Sequence, residues 1–595
     1  MHKRILATAL LCAVPALAAD DVVMRAMRDE LARSMKKLQL ENLQKPYFIA
    51  YRVVESSNCG ATASFGALVN SNCEPAPQGR ALSRRLSVEV RVGDYARDNT
   101  NFYAPRLAVA GVARSLAPAG ANVPVDDNYD EIRRQLWLVT DSGYKNALDL
   151  YAKKKASLEN RTRTDDAPDF SKEPAVTDTE TAKTIAWNRA EVEALVKGLS
   201  LVFRQTPAID NSEVRFSAEN LTTRYVNSEG TSFVRDAPSA SITVNADTQA
   251  VDGMPLTDFD VAYARTIEDL PSREEMTRRI HALASRLENL RTAPVLEKYT
   301  GPVLFEGQAA GEIVAQGLVS GLVGNPRIVV DDMRLQGLVA NDASLFDKIG
   351  SRVFPDSLSV VDNPALHEFH GQPLLGGYQV DEDGVKAGPT QLIDGGILKT
   401  LLHTRALISG TTASTGSRRG AGPLPSNLLI TSEKGLPPAQ LKAELLRMAK
   451  QRGNDYGVAI RRIGNPLLAS TLNRSRVVII TSNGSGTRGI EVEPPIEAYK
   501  VYADGREELV RNFNITNLML SSFKDITTVS DASTVYTLPF RPRIIAPIVT
   551  GFIGNFGPNL LSIATPSLLF EDLSLHRPSG EVPNLPFSKH PSFDK

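Results

Sequence analysis

The chain predicts an α+β fold: an N-terminal α/β domain with a mixed sheet and flanking helices, then a C-terminal β-rich domain of barrel-like or sandwich form. Apolar residues recur every three to four positions over helix-length segments, and strand-like alternation separates these segments. Beyond about residue 293, short β-type runs are joined by glycine turns. A length of 595 residues is several times that of one domain, and 42% apolar residues suffice for two or three cores. Lysine and arginine number 67 against 68 acids, a net charge of -1, so no global field exists to hold nucleic acid.

The first residues have the layout of an export signal: basic His2-Lys3-Arg4, an apolar run from Ile5 to Leu17, and small residues before Ala19. Cleavage is expected after Ala18, leaving an N-terminal domain over 19–292, a C-terminal domain over 293–595 and a periplasmic or secreted protein. The apolar run is shorter than the roughly 20 residues that cross a bilayer, and no transmembrane segment is expected in the mature chain. Cys12 would leave with the signal. Cys59 and Cys73 then form an even pair in a Gly/Ser/Asn-rich segment that suits a disulfide in an oxidising compartment.

Val23, Met27, Leu31, Met35 and Leu38 mark an amphipathic helix facing the strand-like run Tyr47 to Val54. Alternation from Leu86 to Val92 gives a second strand, and Asp130 to Asn160 reads as helical. Thr164 to Thr184 is polar, proline-bearing and aperiodic, the character of a surface loop or lid. A helix from Ala190 to Phe203 precedes strands near 212–220, 223–227 and 239–245. Ser272 and Glu275 have capping-box spacing and open a helix with the stripe Met276, Ile280, Leu283, Leu287 and Leu290.

Strand signals resume at Pro302 to Phe305. Glycine turns then follow at Asp394-Gly-Gly396, Asn483 to Gly486 and Ala503-Asp-Gly505, and a helix begins at Pro437-Pro438. The apolar reach 544–553 is broken by Pro547 and Gly551, which favours a packed loop or a partner contact.

Several stretches fall in one order: Tyr225-Val-Asn-Ser-Glu-Gly-Thr231, Gly301 to Asn325, Asp381-Glu-Asp-Gly-Val385 with Gln391 to Leu398, Thr404-Arg405-Ala406, Thr415 to Arg419 and Pro425-Ser-Asn427. The series resembles the TldD/PmbA metallopeptidase family over roughly 210–540. The resemblance implies dimers with a peptide channel, one type of subunit binding zinc through two histidines and a cysteine with a glutamate as general base, and the other type acting as its partner without these ligands. Where the catalytic members place His-Glu-x-x-x-His, this chain has Ala315, Gln316 and Ser320, and no cysteine follows Cys73. A hydrolytic zinc needs imidazole, thiolate or carboxylate donors plus an open position for water. Ala315 offers no donor, and Gln316 cannot accept a proton as glutamate does.

The resulting expectation is a non-catalytic, zinc-less subunit or peptide-binding member of a proteolytic assembly, with no cofactor. Its expected partners are a peptide or unfolded polypeptide and either a second copy or a catalytic TldD-like subunit. Arg418 and Arg419, paired in a Gly/Ser loop, are candidates for gripping peptide carboxylates or carbonyls. The alternative is an active, zinc-dependent metallopeptidase rebuilt around His367, Glu368 and His370, with His403 one hairpin away. A third reading is an envelope protein that docks through 544–553. His281 reads as a surface residue on its helix, His576 and His590 as parts of a polar tail, and no Gly-x-Ser-x-Gly elbow supports serine catalysis.

Overall fold

The computed structural model describes residues 21–40, 42–74, 83–104, 121–159, 167–332, 334, 345–420, 422–468, 490–540 and 559–578. The export signal, the turn at 483–486, the reach 544–553 and His590 lie outside the described residues.

Helix α1 (Val22–Lys37) starts at Asp21, whose carboxylate accepts the amides of Val23 and Met24 at 3.0 and 3.1 Å. With α2 (Tyr129–Glu159), α3 (Arg189–Ser200) and α4 (Arg273–Leu290), it covers one face of a nine-stranded sheet. The long strand Pro46–Ser64 explains how. Its odd-numbered residues point one way: Ile49, Tyr51 and Val53 pack with α1 and α2, while Cys59, Ala61 and Ala63 pack with α3 and α4. Strands Asn211–Asn227 and Ser83–Val92 flank it antiparallel, and Ser239–Gln249 and Pro255–Ala264 extend the sheet to one edge. Thr177–Glu180 joins Ser232–Asp236 in parallel, which makes the sheet mixed. The cysteines are bonded near the hairpin of Pro46–Ser64 and Ala67–Ser71, their Cα atoms 4.1 Å apart.

An eleven-stranded mixed sheet forms the second half, with Leu560–His576 near its centre between Lys298–Phe305 and Asn427–Ser432. Alternation again decides which residues face which helix. Val303, Phe305, Val458 and Ile460 share a core with α5 (Gln308–Gly317), whereas Leu304, Ala459 and Leu569 share one with α6 (Pro438–Gln451). The predicted α+β class and β-rich second half are found, but among the described residues the sheet is open instead of closed into a barrel. Helices occupy both faces, and the outer strands Ile397–Leu398 and Glu507–Val510 lie at opposite ends of the strand order instead of pairing.

Two local expectations also change. Asn211–Asn227 is one strand, since its ladder to Pro46–Ser64 runs unbroken through the supposed gap. Beyond the undescribed 160–166, only 167–171 of the predicted surface loop is packed, with Phe170 buried and the Ser171 amide on the Arg405 carbonyl, while 172–184 is exposed or half-buried as expected. No helix among the described residues is long and apolar enough to cross a membrane.

Candidate functional site

Helix α5 opens at Gly307, whose φ of +55° favours glycine, and runs until Leu318, where the chain tightens into the 3-10 turn Val319–Leu322. Ala309, Ala310, Ile313, Val314 and Ala315 are buried in the core. Gln308, Glu312 and Gln316, spaced by four, fall on one side of the helix and form a polar stripe. Each stripe residue is bound. The Gln308 amide pairs with the backbone of Ile463, accepting its N–H at 2.9 Å and donating to its carbonyl at 3.0 Å. Gln316 Nε2 donates to the Gly464 carbonyl at 2.8 Å and to Glu312 Oε2 at 2.7 Å, while its Oε1 accepts the Glu493 amide at 2.8 Å.

Glu312 lies at the centre, completely buried. Its Oε1 accepts from the Tyr536 hydroxyl at 2.6 Å and from Asn465 Nδ2 at 2.8 Å. Burial pushes its carboxyl up to about 7, and the hydrogen bonds from Tyr536, Gln316 and Asn465 only partly offset this. The Tyr536 ring crosses α5 at Gly311, where a Cβ would sit 2.7 Å from a ring carbon. Tyr263, on the edge strand Pro255–Ala264, has its hydroxyl pKa raised by burial and then by Glu312, so the first sheet also reaches this region. Arg462, on the strand Tyr456–Ile463 of the second sheet, donates to the Phe259 carbonyl of that edge strand and pairs with its Asp258 at 3.3 Å.

These donors do not fit a zinc ion. Ala315 ends in a methyl group within the core, Gln316 uses both ends of its amide, and Ser320 stands on the 3-10 turn beyond the regular helix. A glutamine nitrogen and a serine hydroxyl are poor replacements for imidazole and carboxylate. The alternative ligand set is dispersed. His367, Glu368 and His370 are exposed around a two-residue hairpin turn, where His370 and Gly371 both have positive φ. His403 is buried with Nδ1 on the Leu401 carbonyl at 2.9 Å and Nε2 on the Ala413 carbonyl at 2.8 Å. Among the described residues, no group of three or more His, Cys, Asp or Glu side chains could hold a metal. His281 is exposed on α4, whereas the polar tail expected at His576 is corrected, since His576 ends the strand Leu560–His576 and is paired there with Lys298 and Asn514.

The ordered motifs converge elsewhere, on the sheet face opposite α1–α4. Arg405, 1% exposed, forms a fork with Glu229 at 2.7 and 2.9 Å and lies 3.9 Å from the Phe170 ring centroid. Asp381 Oδ1 accepts the amides of Asp383 and Val385, and its Oδ2 accepts that of Arg418. Burial and then neighbouring Asp383 raise its carboxyl. Tyr225 donates to the Asp383 carbonyl at 3.2 Å, and Glu382 pairs with Arg52 across the two halves. Arg418 and Arg419, the candidate peptide grips, have partners of their own within this joint. Arg418 pairs with Asp383 at 2.8 Å, and Arg419 donates to the carbonyls of Pro425 and Leu560 at 2.8 and 3.0 Å. Burial lowers the Arg419 pKa; for Arg418, Asp383 and Glu89 outweigh burial and raise it.

Sequence reasoning singled out Gln316 but missed Gln308, Glu312, Asn465 and Tyr536. The available signal was three polar residues at a spacing of four within an otherwise apolar helix.

Comparison with known proteins agrees with these observations. Residues 297–577 match the PmbA/TldA metallopeptidase C-terminal domain. A metalloprotease of Methanocaldococcus jannaschii is 34% identical over 86 residues, 14% of this chain and 18% of that protein. One from Methanothermobacter thermautotrophicus is 30% identical over 117 residues, 19% and 23% of the two chains. The chain's matches thus span less than a quarter of each curated relative. Among solved structures, a Thermotoga maritima protein described as a modulator of a DNA gyrase has a TM-score of 0.56 at 14% identity, covering 93% of this chain and 99% of its own. TldE from Thermococcus kodakarensis has 0.53 at 14%, with 92% and 99% covered. These two likenesses speak for the fold alone. The match over residues 297–577 places that part of the chain in the TldD/PmbA metallopeptidase family, and the fold of the chain agrees with that of TldE.

Proposed function

We propose that this protein is an exported, zinc-independent TldD/PmbA homologue that serves as the non-catalytic subunit, or a peptide-binding member, of a proteolytic assembly. The observation that carries the reading is the donor set of α5: a methyl group at 315, a fully engaged amide at 316 and a hydroxyl at 320. Water activation by zinc needs three ligands and a free base, and these residues supply neither. The name of one structural relative, TldE, fits a role as one subunit of a larger assembly. Export rests on the first 18 residues.

A labelled library of unstructured peptides tests the proposal, with binding followed by anisotropy and cleavage by mass spectrometry, each with and without chelator. Binding without cleavage, unchanged by chelator, is expected. Chelator-sensitive cleavage by the purified chain would overturn the proposal.

A further inference from the structure

We infer that Gln316 is a structural tie whose neighbours exclude the carboxylate that catalytic relatives place there. This rests on reading α5 as the counterpart of the family's zinc helix. The amide lies between two backbone groups of opposite polarity, the Gly464 carbonyl on Nε2 and the Glu493 N–H on Oε1. That polarity fixes its orientation without any choice of flip. Nε2 has a second acceptor, Glu312 Oε2, at 2.7 Å.

A glutamate at 316 would keep the bond from Glu493. Its other oxygen, however, would face a carbonyl and the Glu312 carboxyl, which has a proton to share only while it is protonated, below about pH 7. Glu312 has little room to withdraw, because Tyr536 and Asn465 hold its other oxygen. Tyr536 is itself seated against Gly311. Above that pH both carboxyls would be charged, and a buried like-charge contact of this kind is strongly unfavourable. Position 316 has therefore exchanged a base for a tie that joins α5 to Gly464, where the strand Tyr456–Ile463 ends, and to Glu493, which precedes the strand Pro495–Tyr502.

Calorimetric unfolding in chelator at pH 8 compares wild type, Gln316→Met, Gln316→Glu and the double variant Glu312→Gln/Gln316→Glu. Gln316→Met loses the ties without adding charge and should fall moderately. Gln316→Glu should fall furthest, by about 5 °C or more, and the double variant should recover part of that loss because the amide introduced at position 312 can donate to the new carboxylate. If the single glutamate variant gives no folded protein, a folded double variant supports the inference. A Gln316→Glu protein as stable as wild type, or a double variant no better than the single, overturns it. Zinc-dependent cleavage by the wild type would defeat the proposed function whatever these midpoints show, so the two failures are distinguishable.

Discussion

Replacing Glu312 by glutamine should remove a pH-dependent contribution to stability of known sign. The folded carboxyl titrates near 7 against 4.5 when exposed, because it is buried among neutral donors. A raised carboxyl pKa means that the native state favours the protonated form. Its contribution is thus fully present below about pH 4.5 and is lost as pH rises through 7. Moving the carboxyl from 4.5 to about 7 corresponds to about 3 kcal/mol. The glutamine has no such titration, but one of its polarities conflicts with the Gln316 amide, a roughly constant cost of about 1 kcal/mol. Calorimetry of both proteins from pH 5 to 8 should therefore show the variant gaining on wild type by about 2–3 kcal/mol across that range. A difference independent of pH, or one moving the other way, would refute the burial argument.

Three further outcomes follow from named contacts. Tyr536→Phe keeps the ring over Gly311 but removes the hydroxyl donor to Glu312, and should lower unfolding stability by about 1–3 kcal/mol in a denaturant titration. Arg405→Met should cost about 3–5 kcal/mol, because it leaves the Glu229 carboxylate and the Ser171 carbonyl without their guanidinium partner; a loss below 1 kcal/mol would contradict the joint described above. Replacing Cys59 and Cys73 by alanine opens the link across 14 residues, and should lower stability by about 3 kcal/mol on the chain-entropy model, read as a midpoint shift that reductant reproduces in wild type.

Features set by local sequence could be read directly. The stripe of α4 lies where its spacing placed it, and Ser272 accepts the Glu275 amide at 3.2 Å. The capping box is only half as expected, because the Glu275 carboxylate pairs with Arg279 at 2.9 Å. Glycine turns are equally local: Gly395 and Gly396 have positive φ between Thr390–Asp394 and Ile397–Leu398. What could not be read depends on distant pairing. The Glu229–Arg405 fork joins residues 176 apart, and neither residue's local sequence names the other. Arg418 and Arg419 read as free because a Gly/Ser loop gives no sign of Asp383 or of the carbonyls that engage them. Short strands and turns suggest a barrel, but strand order is set by long-range pairing such as that of Lys298–Phe305 with Leu560–His576. At the candidate site, the absence of zinc-type donors at 315, 316 and 320 was legible from the residues themselves; the network around Glu312 and Gln316 was not, because Asn465, Glu493 and Tyr536 come from three separate parts of the chain.

Elemental analysis of the purified protein, before and after equilibration with excess zinc and gel filtration, bears most directly on the loss of the metal site. The account predicts zinc well below one equivalent per chain in both samples. One equivalent retained through filtration and removed only by a strong chelator would contradict it.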